Sequence, residues 1–155
     1  DFALRSIIAC LDSTPHSNPV LTACSELAVK FEAKLHLLYV VPTPESVTPE
    51  DVPGGRLAPR TTRLLLDLES EQTTERMRKQ LQVLLSRNIE ASGSVERGEV
   101  ERAIVSAAAE RQADIVALAT RGLAGIGAFW ANDLVSRICA SCYKVLLLFP
   151  ATEQK

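Results

Sequence analysis

The segment from Asp114 to Phe149 constrains the fold of this chain more than any other stretch. It opens and closes with short apolar runs, Ile115–Ala119 and Val145–Phe149, that are typical of strands buried on both faces. Between the runs lie Gly122, Gly125 and Gly127, followed by apolar residues at helical spacing. A strand, a glycine-bearing turn, a helix and a second strand form a βαβ unit. Because the turn after the first strand of such a unit is a common phosphate-binding site, phosphate binding becomes the first functional hypothesis.

The rest of the chain alternates in the same way. Hydrophobic periodicity predicts strands at 6–11, 35–41 and 89–95, and helices at 18–31, 61–87 and 100–111. The strand at 89–95 is polar enough to lie near a sheet edge. Strict alternation predicts an α/β fold in one domain, residues 1–155, with an open, mostly parallel sheet and helices on both faces. Five prolines and two glycines within 42–60 predict an exposed loop that is either functional or mobile.

Charge and hydropathy exclude several classes of function. A net charge of −2 and a pI near 5.7 argue against general affinity for nucleic acid or an anionic membrane surface. No apolar run approaches the roughly 20 residues that a membrane span requires. We therefore expect a protein that does not insert into a membrane.

The four cysteines, Cys10, Cys24, Cys139 and Cys142, are expected to be buried, reduced thiols. Cys139 and Cys142 form a lone CxxC, and neither a second pair nor a nearby histidine completes a zinc site. No metal site is predicted.

The long helix at 61–87 is expected to be amphipathic. Its apolar positions include Leu65, Leu68, Met77, Leu81, Leu84 and Leu85. The charged residues on its other face, Glu69 to Lys79, are expected to be solvated.

Catalysis finds little support in the sequence. His16 follows the first strand without a partner at a recognisable spacing, and is expected to be a surface or capping residue. His36 lies within a strand and is expected to be structural. Arg121, beside the glycine turn, is a candidate for contact with an anion, although most arginines are simply exposed to solvent. Because no GxSxG, P-loop lysine or HExxH is present, we do not predict an enzyme.

Four stretches together, in their order and spacing, resemble a known family. They are IIACLDSTPHS, LHLLYVVP, VERGEVERAIVSAAAERQADIVALATRG and VLLLF. Together they resemble a universal stress protein domain over nearly the whole chain. The resemblance implies a Rossmann-like sheet of strand order 3-2-1-4-5, as in adenine nucleotide alpha hydrolase-like proteins. It also implies a cytoplasmic role in stress tolerance and a homodimer through the last strand, Val145–Phe149. That strand is apolar and uncharged, and at a sheet edge it would be prone to aggregation unless paired.

The ATP-binding members of this family carry G-x2-G-x9-G-[S/T] after strand four. In the register at the strand end, Ala119 stands at the first glycine, Gly122 matches the second, and Asn132-Asp133 replace the final pair. A competing register starts at Gly122 and Gly125, and it puts Val135 at the third glycine and Ser136 at the hydroxyl. We prefer the first register because it keeps the motif at the strand end. In the first register, the chain is more similar to the subset of the family that lacks the nucleotide signature and resembles universal stress protein A.

The chemistry of these replacements matters more than their number. Only glycine lets backbone amides approach a phosphate closely, and a carboxylate about 4 Å from a polyanion costs roughly 1 to 4 kcal/mol. Asp133 has the simpler role of an N-cap or first-turn acid. Phe129-Trp130 resembles the corresponding pair of the non-nucleotide subset, and would cover the cleft or pack in a dimer.

The resemblance also assigns Asp12 to an acidic nucleotide contact and Val40 to a strand position whose backbone meets the base. A turn-stabilising aspartate and a core valine are the structural alternatives.

Two functional hypotheses stay open, with a third if the chain is a fragment. The first is a dimeric stress-response or regulatory module with a degenerate nucleotide site and no cofactor. The second is a sensor that binds ATP, AMP or another small anion between strands one and four. The third is a cytoplasmic regulatory domain of a larger protein such as a transporter or kinase.

Overall fold

A computed structural model describes residues 3–14, 17–46, 59–119 and 132–149. These residues form five strands and four helices in alternation. The strands are β1 (Ser6–Leu11), β2 (Lys34–Val41), β3 (Ala91–Arg97), β4 (Ile115–Ala119) and β5 (Val145–Phe149). The helices are α1 (Asn18–Phe31), α2 (Pro59–Ser86), α3 (Val100–Glu110) and α4 (Asn132–Ser141).

The five strands form one parallel sheet of order β3-β2-β1-β4-β5. Strand β1 lies at its centre and pairs with β2 and β4; Ile7, for example, stands between Leu35 and Ile115. The predicted α/β fold and strand order are confirmed, and so is the position of β3 at an edge.

Two hydrophobic clusters, one on each face of the sheet, hold the helices in place. Alternate residues of a strand point to opposite faces, so Ile7 and Leu11 pack under α1 and α2, whereas Ile8 and Cys10 pack under α3 and α4. Burial of each large aliphatic side chain contributes about 1.5 to 3 kcal/mol. Because β1 is buried on both faces, its sequence reads as a continuous apolar run.

The buried face of α2 differs from the prediction. Leu65, Leu68 and Leu85 are exposed, whereas Leu66 and Thr73 are buried together with Leu84. Met77 and Leu81 are partly buried against the sheet, as predicted. The contacting stripe passes through 66, 73, 77, 81 and 84, at a helical period of 3.6 residues. The stripe contains the polar Thr73, and several leucines lie outside it, which is why leucine positions alone misplaced the face.

The ends of several elements also differ from the sequence prediction. Strand β3 lies two residues later than predicted, at Ala91–Arg97, and α2 begins at Pro59, within the predicted 42–60 loop. Residues 44–46 form a turn, closed by the Ser46 amide donating to the Thr43 carbonyl at 3.0 Å. Residues 47–58 of that loop lie outside the described part of the chain.

Three of the four cysteines are buried, as predicted: Cys10, Cys24 and Cys142. Cys139 is exposed, which corrects the prediction. It lies on α4 one position after the buried Ile138, and a step of one residue turns a helix by about 100°. Burial raises the pKa of Cys24 to about 12 and the pKa of Cys10 further. These two thiols are therefore protonated at neutral pH and unreactive.

Candidate functional site

The chain leaves the carboxyl ends of β1 and β4 toward opposite faces of the sheet. After β1 it enters α1, which packs on one hydrophobic cluster, and after β4 it reaches α4, which packs on the other. Because β1 and β4 are neighbours, their carboxyl ends form a topological switch point, where open α/β sheets typically bind ligands; we call this place the β1/β4 crevice.

Three predicted site residues share this edge of the sheet. Leu11 pairs with Tyr39, so Asp12 and Val40 stand at the same level, one residue further along. Ala9 pairs with Ala117, which brings Ala119 to the level of Leu11. Across the edge the order is therefore Val40, Asp12, Ala119. The structure thus places Asp12 between two residues that are 28 and 107 positions away from it in sequence.

The carboxylate of Asp12 is held by the turn that follows it. Its Oδ1 accepts hydrogen bonds from the Thr14 amide at 2.8 Å, the Thr14 hydroxyl at 2.6 Å and the Ser17 hydroxyl at 2.7 Å. The Asp12 amide donates to Ser17 Oγ at 2.7 Å. None of these bonds reaches Oδ2. Asp12 therefore has the structural role of an Asx turn.

Ser17 is the residue of this cluster that the sequence did not single out. It occupies the N-cap position of α1 but makes no side-chain cap, because its hydroxyl is bonded to Asp12. A serine immediately before the helical Asn18-Pro19 pair is typical of a helix N-cap, and this pattern does not indicate a bond to Asp12.

Val40 and Ala119 contribute little polar chemistry through their side chains. Val40 is half-buried and packs against the cluster under α3 and α4. Ala119 is buried at the end of β4, where it pairs with Phe149. Whether their backbones contact a ligand stays a prediction.

The remaining predicted positions lie at or beyond the limits of the described chain. Helix α4 begins at Asn132, so Asp133 is the second residue of its first turn, and the role of its carboxylate there stays a prediction. Gly122 and Gly125 lie outside the described residues. So do His16, Arg121, Gly127 and the Phe129-Trp130 pair. Their assignment to a phosphate-binding turn therefore stays a prediction.

His36 lies on β2 and is buried, with 3% of its surface exposed. Its Nδ1 lies 2.8 Å from Ser92 Oγ and its Nε2 lies 2.9 Å from Ser94 Oγ, both on β3. Burial, with a smaller effect of the Arg111 charge, lowers the pKa of His36 to about 4. The imidazole is therefore uncharged at neutral pH. Sequence patterns did not indicate these two serine partners of His36.

Within the described part of the chain, no group of three or more His, Cys, Asp or Glu side chains is placed to hold a metal ion. No described helix combines the length and the apolar character needed to cross a bilayer.

Comparison with known proteins identifies the family of this chain. A family model described as the universal stress protein family matches residues 3–144. The chain belongs to the universal stress protein family. No curated protein sequence matches it at a significant level.

Solved structures of universal stress proteins share the fold. One is the universal stress protein UspA from Lactobacillus plantarum, with a TM-score of 0.73, 17% identity, and coverage of 96% of this chain and 99% of that chain. A second is a universal stress protein in complex with cAMP, with a TM-score of 0.61, 13% identity, and coverage of 97% and 100%. A third is the universal stress protein from Archaeoglobus fulgidus in complex with dAMP, with a TM-score of 0.58, 14% identity, and coverage of 94% and 96%. At these identities the likeness establishes the fold.

Proposed function

We propose that this universal stress protein is a stress-response or regulatory module whose nucleotide site is degenerate, and that it acts through dimerisation and protein contacts in the cytoplasm. The observation that carries the proposal is the replacement of three phosphate-binding positions by Ala119, Asn132 and Asp133. Asp133 stands in the first turn of α4, where a phosphate would otherwise meet the helix amides. A carboxylate at that turn occupies the favourable end of the helix dipole and repels an anionic ligand.

The edge strand β5 supports dimerisation. Val145 is 54% exposed and Leu148 is 39% exposed, and Tyr143, just before the strand, is 97% exposed. An apolar edge strand is prone to aggregation unless it is paired, and pairing β5 with a second copy would cover its exposed side chains. Analytical ultracentrifugation at micromolar concentration is expected to show a dimer, and a Val145→Lys variant is expected to be a monomer. A wild-type monomer under these conditions would argue against the dimer.

Nucleotide binding can be tested with a matched pair of proteins. Isothermal calorimetry of the wild-type chain with ATP, ADP and AMP is expected to show no binding in the micromolar range. The variant Ala119→Gly, Asn132→Gly, Asp133→Ser restores the family motif at those positions and is expected to gain affinity for ATP. Tight, saturable binding of ATP by the wild-type chain would refute the degenerate site.

A second candidate is a sensor that binds ATP, AMP or another small anion in the same crevice. Two observations favour it: Asp12 Oδ2 carries none of the hydrogen bonds of the Asp12 turn, and relatives of the same fold are described as complexes with cAMP and dAMP. Acid release of nucleotide from purified protein, followed by absorbance at the adenine band, tests this candidate. Asp12→Asn would lower the amount released, whereas protein free of nucleotide would count against a sensor.

A further inference from the structure

A second concave surface lies away from the β1/β4 crevice, at the β3 edge of the sheet. It is a groove of about 320 Å³ between β3 and α3. The lining residues that matter below are Ser94 and Glu96 on β3, Gly98 in the connection, and Arg102, Ala103 and Ser106 on α3. Gly98 makes the sharp connection possible with a φ of 123°, a conformation that only glycine adopts readily.

Behind this groove, Ser94 is hydrogen-bonded to a buried histidine. His36 pairs with Ser92 across the β2–β3 ladder, and Ser94 lies two residues further along on the same face. Ser94 Oγ is 2.9 Å from His36 Nε2, and Ser92 Oγ is 2.8 Å from Nδ1. A hydroxyl within hydrogen-bond reach of a base, with a third group that orients the base, is the arrangement of an activated nucleophile.

The hydrogen-bond pattern around Ser92 is compatible with the tautomer that such chemistry requires. For Ser94 to be activated, Nε2 must accept its proton while Nδ1 carries hydrogen and donates to Ser92 Oγ. A serine oxygen has two lone pairs, and Arg111 Nη1 donates to the same oxygen at 3.5 Å. Ser92 can therefore accept from both the imidazole and the guanidinium, and its own hydrogen can point to solvent because Ser92 is exposed.

We infer that Ser94 is a nucleophile, with His36 as its general base, that accepts a short, uncharged acyl group from an activated ester or thioester bound in the groove. Ser94 Oγ attacks the acyl carbonyl carbon while its proton passes to His36 Nε2. The bond between the carbonyl carbon and the leaving oxygen or sulfur breaks, and the leaving group departs with the bonding electrons. The product is an O-acyl serine, and the proton on His36 returns to the leaving group or to solvent.

The lining of the groove selects the acyl donor. Ala103 and Ala107 form a wall of small side chains that suits a short acyl group. The carboxylates of Glu96, Glu99 and Glu110 also line the groove and disfavour an anionic donor. Of the two lining arginines, Arg97 is bound to Asp67 at 2.7 Å, which leaves Arg102 as the candidate to stabilise the carbonyl oxygen as its charge develops.

Acylation is expected to be slow and to stop after one group per chain. The Gly98 amide, a possible second donor to the oxyanion, is bonded to the Val41 carbonyl at 3.1 Å. Burial and Arg111 lower the pKa of His36 to about 4, so the base is unprotonated at neutral pH but weak. Turnover would require the same weak base to activate water. This inference is independent of the nucleotide site, and it departs from the sequence-based expectation that His36 is only structural.

The test uses the full chain and p-nitrophenyl acetate. We expect a burst of one equivalent of p-nitrophenolate and one acetyl group per chain, located at Ser94 by tandem mass spectrometry. General-base assistance should make Ser94 acetylation faster than that of other serines in the chain, but by less than the roughly 10²-fold typical of a base whose pKa lies near the working pH. Ser94→Ala should abolish the burst. Ser86→Ala is the matched control and should retain it, since Ser86 lies at the end of α2, outside the lining of the groove, and its hydroxyl is bonded to the Val83 carbonyl at 2.7 Å.

Three results would contradict the assignment of Ser94 as the nucleophile. Acetyl groups confined to lysine side chains, or a burst that persists in Ser94→Ala, would overturn the assignment. So would equal loss of the burst in both serine variants. Because His36→Gln removes a buried side chain and can fail to fold, the conclusion rests on the two serine variants, whose folding is checked by circular dichroism, and on the modified position in the wild-type chain.

Discussion

The buried imidazole of His36 makes the stability of this protein sensitive to acid. The pKa of His36 is lowered from 6.5 to about 4, first by burial and then by the Arg111 charge. The unfolded chain therefore binds a proton at a higher pH than the folded chain does. Stability rises with pH wherever the unfolded state holds more protons. The contribution of His36 is fully present above pH 6.5 and is lost as the pH falls from 6.5 toward 4.

The size of this effect follows from the two pKa values. Each pH unit between them corresponds to about 1.4 kcal/mol, so lowering the pH from 7 to 4 should remove about 3 kcal/mol of unfolding free energy. That is a large share of the roughly 5 to 15 kcal/mol typical of a folded domain. The protonated imidazole would also need to donate from both nitrogens, and Ser92 and Ser94 can each accept.

Urea denaturation at a series of pH values between 4 and 7 measures the effect. We expect wild type to lose about 3 kcal/mol more than His36→Gln over this range, since acidic groups common to both proteins cancel in the comparison. The same difference should persist when His16, the only other histidine, is replaced by Gln in both. Nuclear magnetic resonance titration gives the pKa directly, even if the variant fails to fold. A His36 pKa near 6.5 in the folded chain would refute the reasoning.

Three further predictions concern packing around Gly93, the hydrogen bonds of Asp114 and thiol reactivity. Gly93→Ala would place a Cβ atom 2.5 Å from Met77 Sδ, so we expect a loss of about 1 to 3 kcal/mol in urea denaturation, reduced in a Met77→Ala background; an equal loss in both backgrounds would contradict the clash. Asp114→Ala removes the acceptor of the Arg5 and Ser6 amides, at 2.8 and 3.0 Å, and should lower the unfolding free energy by about 1 to 3 kcal/mol; Glu110→Ala, also on the surface, is the control. An aromatic disulfide reagent should modify Cys139 rapidly in the native chain and reach the three buried thiols only on unfolding; rapid native reaction of all four thiols would contradict their burial.

Local sequence patterns were sufficient to predict most of the fold. The apolar runs of β1, β4 and β5 and the helical spacing of α1 each appear within a short window, and their observed bounds are Ser6–Leu11, Ile115–Ala119, Val145–Phe149 and Asn18–Phe31. These bounds match the predicted ones. Alternation of strands and helices then leaves few topologies open, because parallel neighbours require crossover connections.

The candidate site was predictable only in part. Asp12 and Ala119 were named from the family resemblance, and the structure places both at strand ends, where open sheets bind ligands. The Ser17 hydroxyl was missed because its bond to Asp12 depends on how close the fold brings the two residues together, and not on residue type. Similarly, the misplaced face of α2 reflects a contact stripe that includes Thr73, which hydropathy alone assigns to solvent.

The sequence by itself determined the alternation of elements and the apolar strand β5, Val145–Phe149. These features depend on side-chain type and on spacing within a few residues. Only the tertiary structure decided that His36 lies between Ser92 and Ser94, 56 and 58 positions away. The reason is physical: a hydrogen bond between strands depends on the register of their pairing, and that register is fixed by the packing of both sheet faces together.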